Sequence, residues 1–480
     1  MALPTRSERR QVSEILAVDP WDTRGIPVPP FLQYDVTQAR LHRLEALFPG
    51  ILAGDPDAFE LLTKNYDALT FFARRPESVP FRDQILCAAL EHDDLVLIYI
   101  LLKHGASPNQ WCGTTPILHA AVRIGDASIV ALLLETGTVN PNVRNNNGET
   151  PLLLATLADR ADIVQQLINA GADPTLRSNN TTPILTASRN GYVDVMRVLL
   201  DHGVDPNTVE FNWTPLMLAA QQGRVAVVKL LLQRGANPNL QTDSSPLILA
   251  VSREHPKIVR LLLEHGVNPD LQEVNGNTMA IITSEDSVAG LSLKRGATPK
   301  VHGDTPLTWA IKRGYFDIVM LLLKRGANPN LRDTNSDTAL MVAVKNGDSS
   351  IVRLLLDHGA NVNLYGTHKN TALMLATCYG HSEIMRMLLD HGADINIQNS
   401  NGDTALIMAS QVGNIDIVRL LLEHGANPSI RNRNWDTAWN VAVKRAHSDI
   451  AELLNPTPGL KDTLWRIIGL KVVVSDTRVI

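Results

Sequence analysis

Residues 305–337 read TPLTWAIKRGYFDIVMLLLKRGANPNLRDTNSD and contain the signals from which the fold can be predicted. The same pattern begins again at four later threonines spaced 33 residues apart: Thr338, Thr371, Thr404 and Thr437. Earlier units begin at less regular intervals, at Thr115, Thr150, Thr182, Thr214, Ser245 and Thr278. A twelfth, less clear unit starts at residue 84. The sequence therefore predicts an array of about twelve units over residues 84–454.

Each unit carries the signals of two helices. Thr305 stands where a helix begins and can cap free N–H groups, and Pro306 follows at a first-turn position where proline loses no hydrogen bond. Gly314 interrupts this helix, and an apolar run at helical spacing follows it. Gly326 ends the second helix, because glycine readily adopts the left-handed conformation. Each unit is therefore predicted to form an antiparallel helix pair.

A polar stretch joins each helix pair to the next. It follows the sequence Ala-Asn-Pro-Asn or a close variant. Glycine or asparagine often stands two residues before the threonine of the next unit, which suits a hairpin turn. These turn residues are Gly148, Asn180, Asn212, Gly276 and Gly402.

Taken together, these motifs make the chain resemble the ankyrin-repeat family. The resemblance rests on Thr-Pro-Leu-x-x-Ala, the glycine between the helices, the Leu-Leu-Leu run and Gly-Ala-Asn-Pro-Asn. It implies an all-α solenoid, in which ankyrin helix-turn-helix repeats stack and β-hairpin fingers project from one side. Fingers and first helices would form a concave groove. One unit cannot bury its own apolar face, so neighbouring units supply the core.

Two features depart from the family pattern. The family's histidine after Thr-Pro-Leu is replaced by apolar residues such as Leu153 and Leu185, and His119 is placed to keep its hydrogen-bonding role. The unit at 278–304 is only 27 residues long and is predicted to be irregular. A degenerate repeat and a hinge are both compatible with its sequence.

The two ends of the chain do not fit the repeat. Residues 1–83 are predicted to form a divergent helical segment that caps the array. Residues 455–480 include Leu464, Trp465 and Ile467, and are predicted to fold back as a second cap. A docking motif or a specialised bacterial secretion signal is the alternative for this tail.

Composition excludes several classes of protein. The 480 residues include 44 Lys and Arg against 49 Asp and Glu, a net charge of −5, so no nucleic-acid partner is expected. The longest apolar run, residues 95–102, is too short for a membrane span. Cys87, Cys112 and Cys378 show no CxxC or ligand spacing, so we expect free thiols in a reducing cytoplasm. Delivery into a host cell as an effector remains an alternative.

The sequence gives little sign of catalytic or metal chemistry. Six of the 14 histidines share one helix-ending position, which indicates a structural role: His104, His202, His265, His358, His391 and His424. No HExxH, GxSxG or Walker A motif stands in a suitable context. We therefore expect no enzyme activity, no cofactor and no metal site.

The predicted binding surface follows from the repeat positions. Exposed finger residues lie four, three and one before each threonine, and exposed first-helix residues lie seven and eight after it. These positions nominate as partner-binding residues Phe211, Trp213, Gln221, Gln222, Lys312, Arg313, Lys345, Tyr379, Lys444 and Arg445.

Two features of this surface suggest what it binds. Phe211 and Trp213 place two aromatic rings on one finger, a residue class favoured at interface hot spots. The lysines and arginines predict a basic groove that suits an acidic segment of a protein partner. The alternatives are packing of the rings on the next finger and solvated charge without a partner. Trp435, at a turn position, is a third exposed aromatic and is predicted to cover the last repeat.

The predicted function is non-catalytic binding of a protein partner through the groove and finger tips, as an adaptor or scaffold. An effector or enzyme-recruiting adaptor, with the activity or docking motif in its terminal segments, is the alternative. A purely structural element of a larger assembly is a third possibility.

Overall fold

The computed structural model describes residues 81–455, except for residues 92, 179, 243 and 273–302. In this part of the chain, 22 α-helices of six to eleven residues follow one another as eleven pairs. This confirms the predicted all-α solenoid of ankyrin repeats. The predicted terminal segments 1–83 and 455–480, and the irregular unit 278–304, lie almost entirely outside the described residues.

The chain divides into two compact units between Asn237 and Pro238. The first unit contains five helix pairs and one short hairpin in its described part. The helices are α1 (Phe81–Glu91), α2 (Leu95–Lys103), α3 (Ile117–Ile124), α4 (Ala127–Glu135), α5 (Pro151–Leu157), α6 (Ala161–Asn169), α7 (Pro183–Asn190), α8 (Val193–Asp201), α9 (Pro215–Gln221) and α10 (Val225–Gln233). The hairpin pairs β1 (Trp111–Cys112) antiparallel with β2 (Thr115–Pro116).

The second unit contains six helix pairs among its described residues. They are α11 (Pro246–Ser252), α12 (Pro256–Glu264), α13 (Pro306–Arg313), α14 (Phe316–Lys324), α15 (Ala339–Asn346), α16 (Ser349–Asp357), α17 (Ala372–Tyr379), α18 (Ser382–Asp390), α19 (Ala405–Val412), α20 (Ile415–Glu423), α21 (Ala438–Lys444) and α22 (Ser448–Leu453). A short 3-10 turn, Thr367–Lys369, forms one of the fingers.

Threonines begin most of the described first helices, as predicted. Thr305 is the N-cap of α13, and its hydroxyl accepts a hydrogen bond from the backbone N–H of Thr308. Thr338 and Thr404 cap α15 and α19 in the same way. Each of these caps satisfies an N–H group that has no partner within its helix. Thr182 begins α7 without such a bond, and α3 has Pro116 as its N-cap in place of Thr115.

The repeated histidines end the second helices. In His358 and His424, ring Nδ1 lies 2.9 Å from the carbonyl oxygen four residues earlier, and in His391 this distance is 2.8 Å. The next residue is a glycine at positive φ, for example Gly359 at 81°. These contacts give the histidines the structural role that their repetition predicts.

The core lies between neighbouring helix pairs. First helices pack on first helices and second helices on second helices within each unit. Alanines such as Ala310, Ala343 and Ala409 are fully buried on the first helices, where a small side chain lets the helices approach closely. Ile351 and Leu355 are fully buried on α16. Each pair therefore completes its core only against its neighbours.

The last asparagine of Gly-Ala-Asn-Pro-Asn joins one repeat to the next. Asn330 Nδ2 donates to the carbonyl of Gly359 at 3.3 Å, and its Oδ1 accepts from the N–H of Asn361 at 2.8 Å. Equivalent pairs of bonds are made by Asn142, Asn207, Asn239 and Asn363. The motif thus specifies a ladder of hydrogen bonds between repeats, which the repeat pattern alone did not reveal.

This ladder continues across residues 273–302. Helices α11 and α12 pack directly against α13 and α14. Asp270 Oδ1 accepts from the N–H of Asn328 at 2.8 Å, and Glu264 lies 3.6 Å from Arg325. The two helix pairs are therefore adjacent layers of one stack.

A disulfide bond corrects the expectation of three free thiols. Cys87 on α1 is bonded to Cys112 on β1, with 5.4 Å between their Cα atoms. The two cysteines are 25 residues apart in sequence. They meet because the finger that follows α2 returns to the first helix of the same pair. Only Cys378 is a free cysteine among the described residues.

Candidate functional site: the fingers and the groove

The finger of the first unit that carries Phe211 ends in a tight turn. Glu210 and Trp213 exchange backbone hydrogen bonds of 2.9 and 2.8 Å across it. The two residues between them, Phe211 and Asn212, have φ angles of 47° and 64°. Such two-residue turns favour asparagine and glycine, and an aromatic residue with positive φ is strained by about 1–3 kcal/mol.

This strained residue is also exposed. Phe211 is 63% exposed, and the Arg177 guanidinium lies 4.5 Å from its ring centroid. A guanidinium stacked in this way can restrict the orientation of the ring. Trp213 is half-buried, so Phe211 presents most of the apolar surface on this finger.

The two nominated glutamines end a first helix of the same unit. Gln221 is the last residue of α9 and Gln222 is its C-cap. Gln222 is exposed, and its Nε2 lies 3.4 Å from Gln221 Oε1. They present amide groups, with no net charge, to solvent.

Each lysine nominated in the second unit is paired with an aspartate. Lys312 Nζ lies 2.8 Å from Asp304 and 3.0 Å from Asp333. Lys345 pairs with Asp337. In both of these repeats the aspartate at 304 or 337 directly precedes the helix-capping threonine, and the lysine stands eight residues after it, a spacing that joins finger to helix. The sequence contains this signal, which the prediction from exposed positions did not use.

The third pair, Lys444 with Asp436 at 2.6 Å, follows the same spacing. For Lys312, burial lowers the pKa, but the hydrogen bonds to Asp304 and Asp333 outweigh it and raise the pKa above its usual value. An aspartate therefore compensates each of the three lysines. The groove is less basic than the sequence positions suggest.

The other nominated groove residues are exposed. The Arg313 guanidinium lies 5.7 Å from the Trp309 ring centroid. Tyr379 is 54% exposed and stacks on His381, with 5.9 Å between ring centroids. Arg445 is exposed and has no ion pair among the described residues.

A cleft in the second unit brings two nominated residues together. It has a volume of about 740 Å³ and lies between the finger at 334–337 and the finger at 366–370. Lys345, Leu375 and Tyr379 line it from the helices. A polar cleft of this size can take a side chain or short segment of a partner.

Chemistry beyond binding has few candidates. Within the described ranges, no three His, Cys, Asp or Glu residues are grouped so that they could hold a metal ion. No helix in the described part has the length and apolar character to cross a membrane. Cys378 is exposed beside Tyr379, and partial burial raises the pKa of its thiol.

Comparison with known families agrees with this architecture. A family model that comprises three ankyrin repeats matches the chain over five ranges, residues 85–178, 175–242, 240–333, 326–399 and 392–461. These matches cover most of the chain, and the chain therefore belongs to the ankyrin-repeat family. Ankyrin repeats are generally protein–protein interaction modules, and most proteins that contain them are not catalytic.

Similar curated proteins share short stretches of the array. The putative ankyrin repeat protein FPV024 of fowlpox virus (strain NVSL) is 35% identical over 95 residues, which are 19% of this chain and 16% of that protein. The ANK repeat-containing protein nipk-1 of Caenorhabditis elegans is 32% identical over 112 residues, 20% of this chain and 18% of that protein. Human neurogenic locus notch homolog protein 4 is 43% identical over 75 residues, 15% of this chain and 4% of that protein. The chain thus spans less than a fifth of each of these relatives.

Proposed function

We propose that this chain is a non-catalytic adaptor or scaffold that binds a partner protein through its finger tips and groove. The observation that supports this most strongly is Phe211, which is both strained and exposed. Neither property stabilises the fold, since a polar residue that tolerates positive φ would relieve the strain and reduce the exposed apolar surface. Binding gives such a residue a role.

The nominated groove residues extend this proposal. Tyr379 and Lys345 line one cleft, and Lys345 is held in place by Asp337. A charged group fixed by a neighbour loses little conformational entropy when a partner docks. The groove therefore presents preorganised polar anchors beside an exposed ring.

The test compares two surface aromatics. Phe211→Asn places a residue that tolerates positive φ on the finger, while Phe316→Asn changes a 42% exposed ring on a second helix. Affinity purification from cell extract with quantitative mass spectrometry would compare the proteins retained by each variant. We expect Phe211→Asn to fold as well as the wild type and to lose at least one specific partner that Phe316→Asn retains.

The reactivity of Cys378 provides a second test of the same proposal. Its exposed thiol lies on the groove helix α17, so a bound partner should slow its alkylation by iodoacetamide. Purified partner at saturating concentration should reduce the rate severalfold. If Phe211→Asn loses no partner and partner binding leaves the alkylation rate unchanged, the proposal is wrong.

A further inference from the structure

The turn that carries Trp435 closes the last described finger. Asn432 N–H donates to Asp436 and Trp435 N–H donates to Asn432, both at 2.9 Å. Trp435 has a φ of 64°. The same two bonds close four sibling turns, in which this position is held by Gly148, Ser336, Lys369 or Gly402. A tryptophan therefore stands where two siblings have a glycine, which tolerates positive φ, and the other two have polar residues.

Trp435 is also largely open to solvent. It is 75% exposed, which corrects the expectation that it covers the last repeat. Its large apolar ring thus contributes little to the core while its backbone is strained. This combination points to a role outside folding.

The finger beneath Trp435 is held firmly. Gln398 Nε2 donates to the carbonyl of Arg431 at 2.9 Å, and Arg433 N–H donates to the carbonyl of Asn401 at 2.9 Å. Asn432 Nδ2 donates to Asp403 at 2.8 Å. The tip is therefore preorganised, and little of it would have to be ordered on binding.

The segment that contains Trp435 is positively charged. Residues 431–445 contain four cations and one acid, a formal charge of +3. Lys444 pairs with the acid, Asp436. The remaining three, Arg431, Arg433 and Arg445, are exposed and have no ion pair within the described part of the chain. This differs from the groove lysines, which are all compensated.

We propose that this tip, made by Arg431, Arg433 and Trp435, binds an acidic segment of a protein partner. The arginines would pair with carboxylates, and Trp435 would cover an apolar side chain beside them. This deepens the proposed function and rests on it. A protein is favoured over nucleic acid because the whole chain carries a net charge of −5.

The experiment pans a phage library of random dodecapeptides on the wild-type chain, with counter-selection on Trp435→Gly. This variant restores the residue that two sibling fingers carry, so its melting temperature should equal or exceed that of the wild type. We expect selected peptides rich in Asp and Glu, with at least tenfold weaker binding to Trp435→Gly and to Arg431→Gln/Arg433→Gln. Binding should weaken further between 50 and 300 mM salt.

Several results would overturn the inference. Selected peptides without acidic residues, or peptides that bind Trp435→Gly equally well, would reject the tip as an acidic-segment site. Binding of a labelled oligothymidine in preference to the peptides would assign the tip to nucleic acid. A fall in the melting temperature of Trp435→Gly would return Trp435 to a structural role. None of these outcomes bears on whether Phe211→Asn loses a partner. Failure of this inference can therefore be distinguished from failure of the proposed function.

Discussion

At the scale of single residues, the glycine after a first helix leaves room for the next repeat. Gly191 has a φ of 91°, and a Cβ there would lie 2.8 Å from Arg224 Cδ. Arg224 Nε donates to the carbonyl of Arg189 at 3.1 Å. Arg160 in the first unit, and His447 in the second, occupy the same space against Gly125 and Gly413. The glycine therefore serves both its own helix end and its neighbour.

Substitution at Gly191 should separate these two roles. The alanine in Gly191→Ala must adopt a positive φ, and its Cβ clashes with Arg224. Gly203→Ala imposes only the positive φ, 80°, because none of the described atoms would lie within 4 Å of its Cβ. We expect about 1 kcal/mol of destabilisation for Gly203→Ala and a clearly larger loss for Gly191→Ala. Thermal melts followed by circular dichroism would measure both; equal losses would contradict the role of Arg224.

His119 makes the fold sensitive to pH. It is fully buried, and its Nε2 lies 2.8 Å from the carbonyl of Glu149, while its Nδ1 has no hydrogen-bond partner among the described residues. Burial lowers the pKa of His119 below that of an unfolded histidine, about 6.5. As the pH drops below about 6.5, the unfolded chain binds a proton at His119 more readily than the folded chain does. The free energy of unfolding therefore decreases.

The matched variant is His119→Leu, because Leu153 stands at the same helical position in the next repeat. Melting temperatures at pH 7.5 and 5.5 should differ less in His119→Leu than in the wild type. An identical pH dependence in both proteins would show that His119 does not titrate differently on folding.

At the scale of elements, the helices could be predicted far better than the contacts between fingers and helices. Thr305 and Gly314 mark both ends of α13 locally, so the helix follows from neighbouring residues alone. The bond between Cys87 and Cys112 depends on how a finger returns to its helix, which no local signal states. The exposure of Phe211 followed from its repeat position, whereas its positive φ required the turn itself.

At the same scale, the ion pair of Lys345 with Asp337 is expected to stabilise the contact between finger and helix. The Asp337 side chain is only 3% exposed, so Lys345→Met would leave a buried carboxylate without its cation. We expect a loss of about 1–3 kcal/mol, reduced from the value for a fully buried pair because Lys345 is 33% exposed.

The double variant Lys345→Met/Asp337→Asn removes the buried charge together with its partner. It should recover most of that loss in the same thermal melts. Failure to recover would mean that Lys345 stabilises the finger through packing of its aliphatic stem, and not by compensating Asp337.

At the scale of the whole molecule, stacking in the second unit is set by contacts and not by the count of residues. Asn396 accepts from Asn427, 31 residues later, at 2.9 Å. Asp270 accepts from Asn328, 58 residues later, at 2.8 Å. The sequence period predicts a repeat, and hence a layer, at 278–304. The described layers on either side of this segment nevertheless contact each other directly. Period alone cannot show which layers adjoin.

The two ladder positions can be compared by experiment. Asp270→Ala and Asn396→Ala each remove one bond from a backbone N–H of the following repeat, so we expect similar losses of about 1 kcal/mol. Urea melts of the two variants would measure them. If Asp270→Ala left the stability unchanged while Asn396→Ala lowered it, the layers at α12 and α14 would not be coupled.

The adjacency of these two layers matters to anyone who divides the protein for expression. A fragment that stops at residue 272, or starts at residue 303, would cut between the faces of α11 and α12 and those of α13 and α14 that pack together. Both pieces would then present bare apolar faces to water and would tend to aggregate. The interruption in the sequence period looks like a natural boundary for cloning, but it is a poor place to cut.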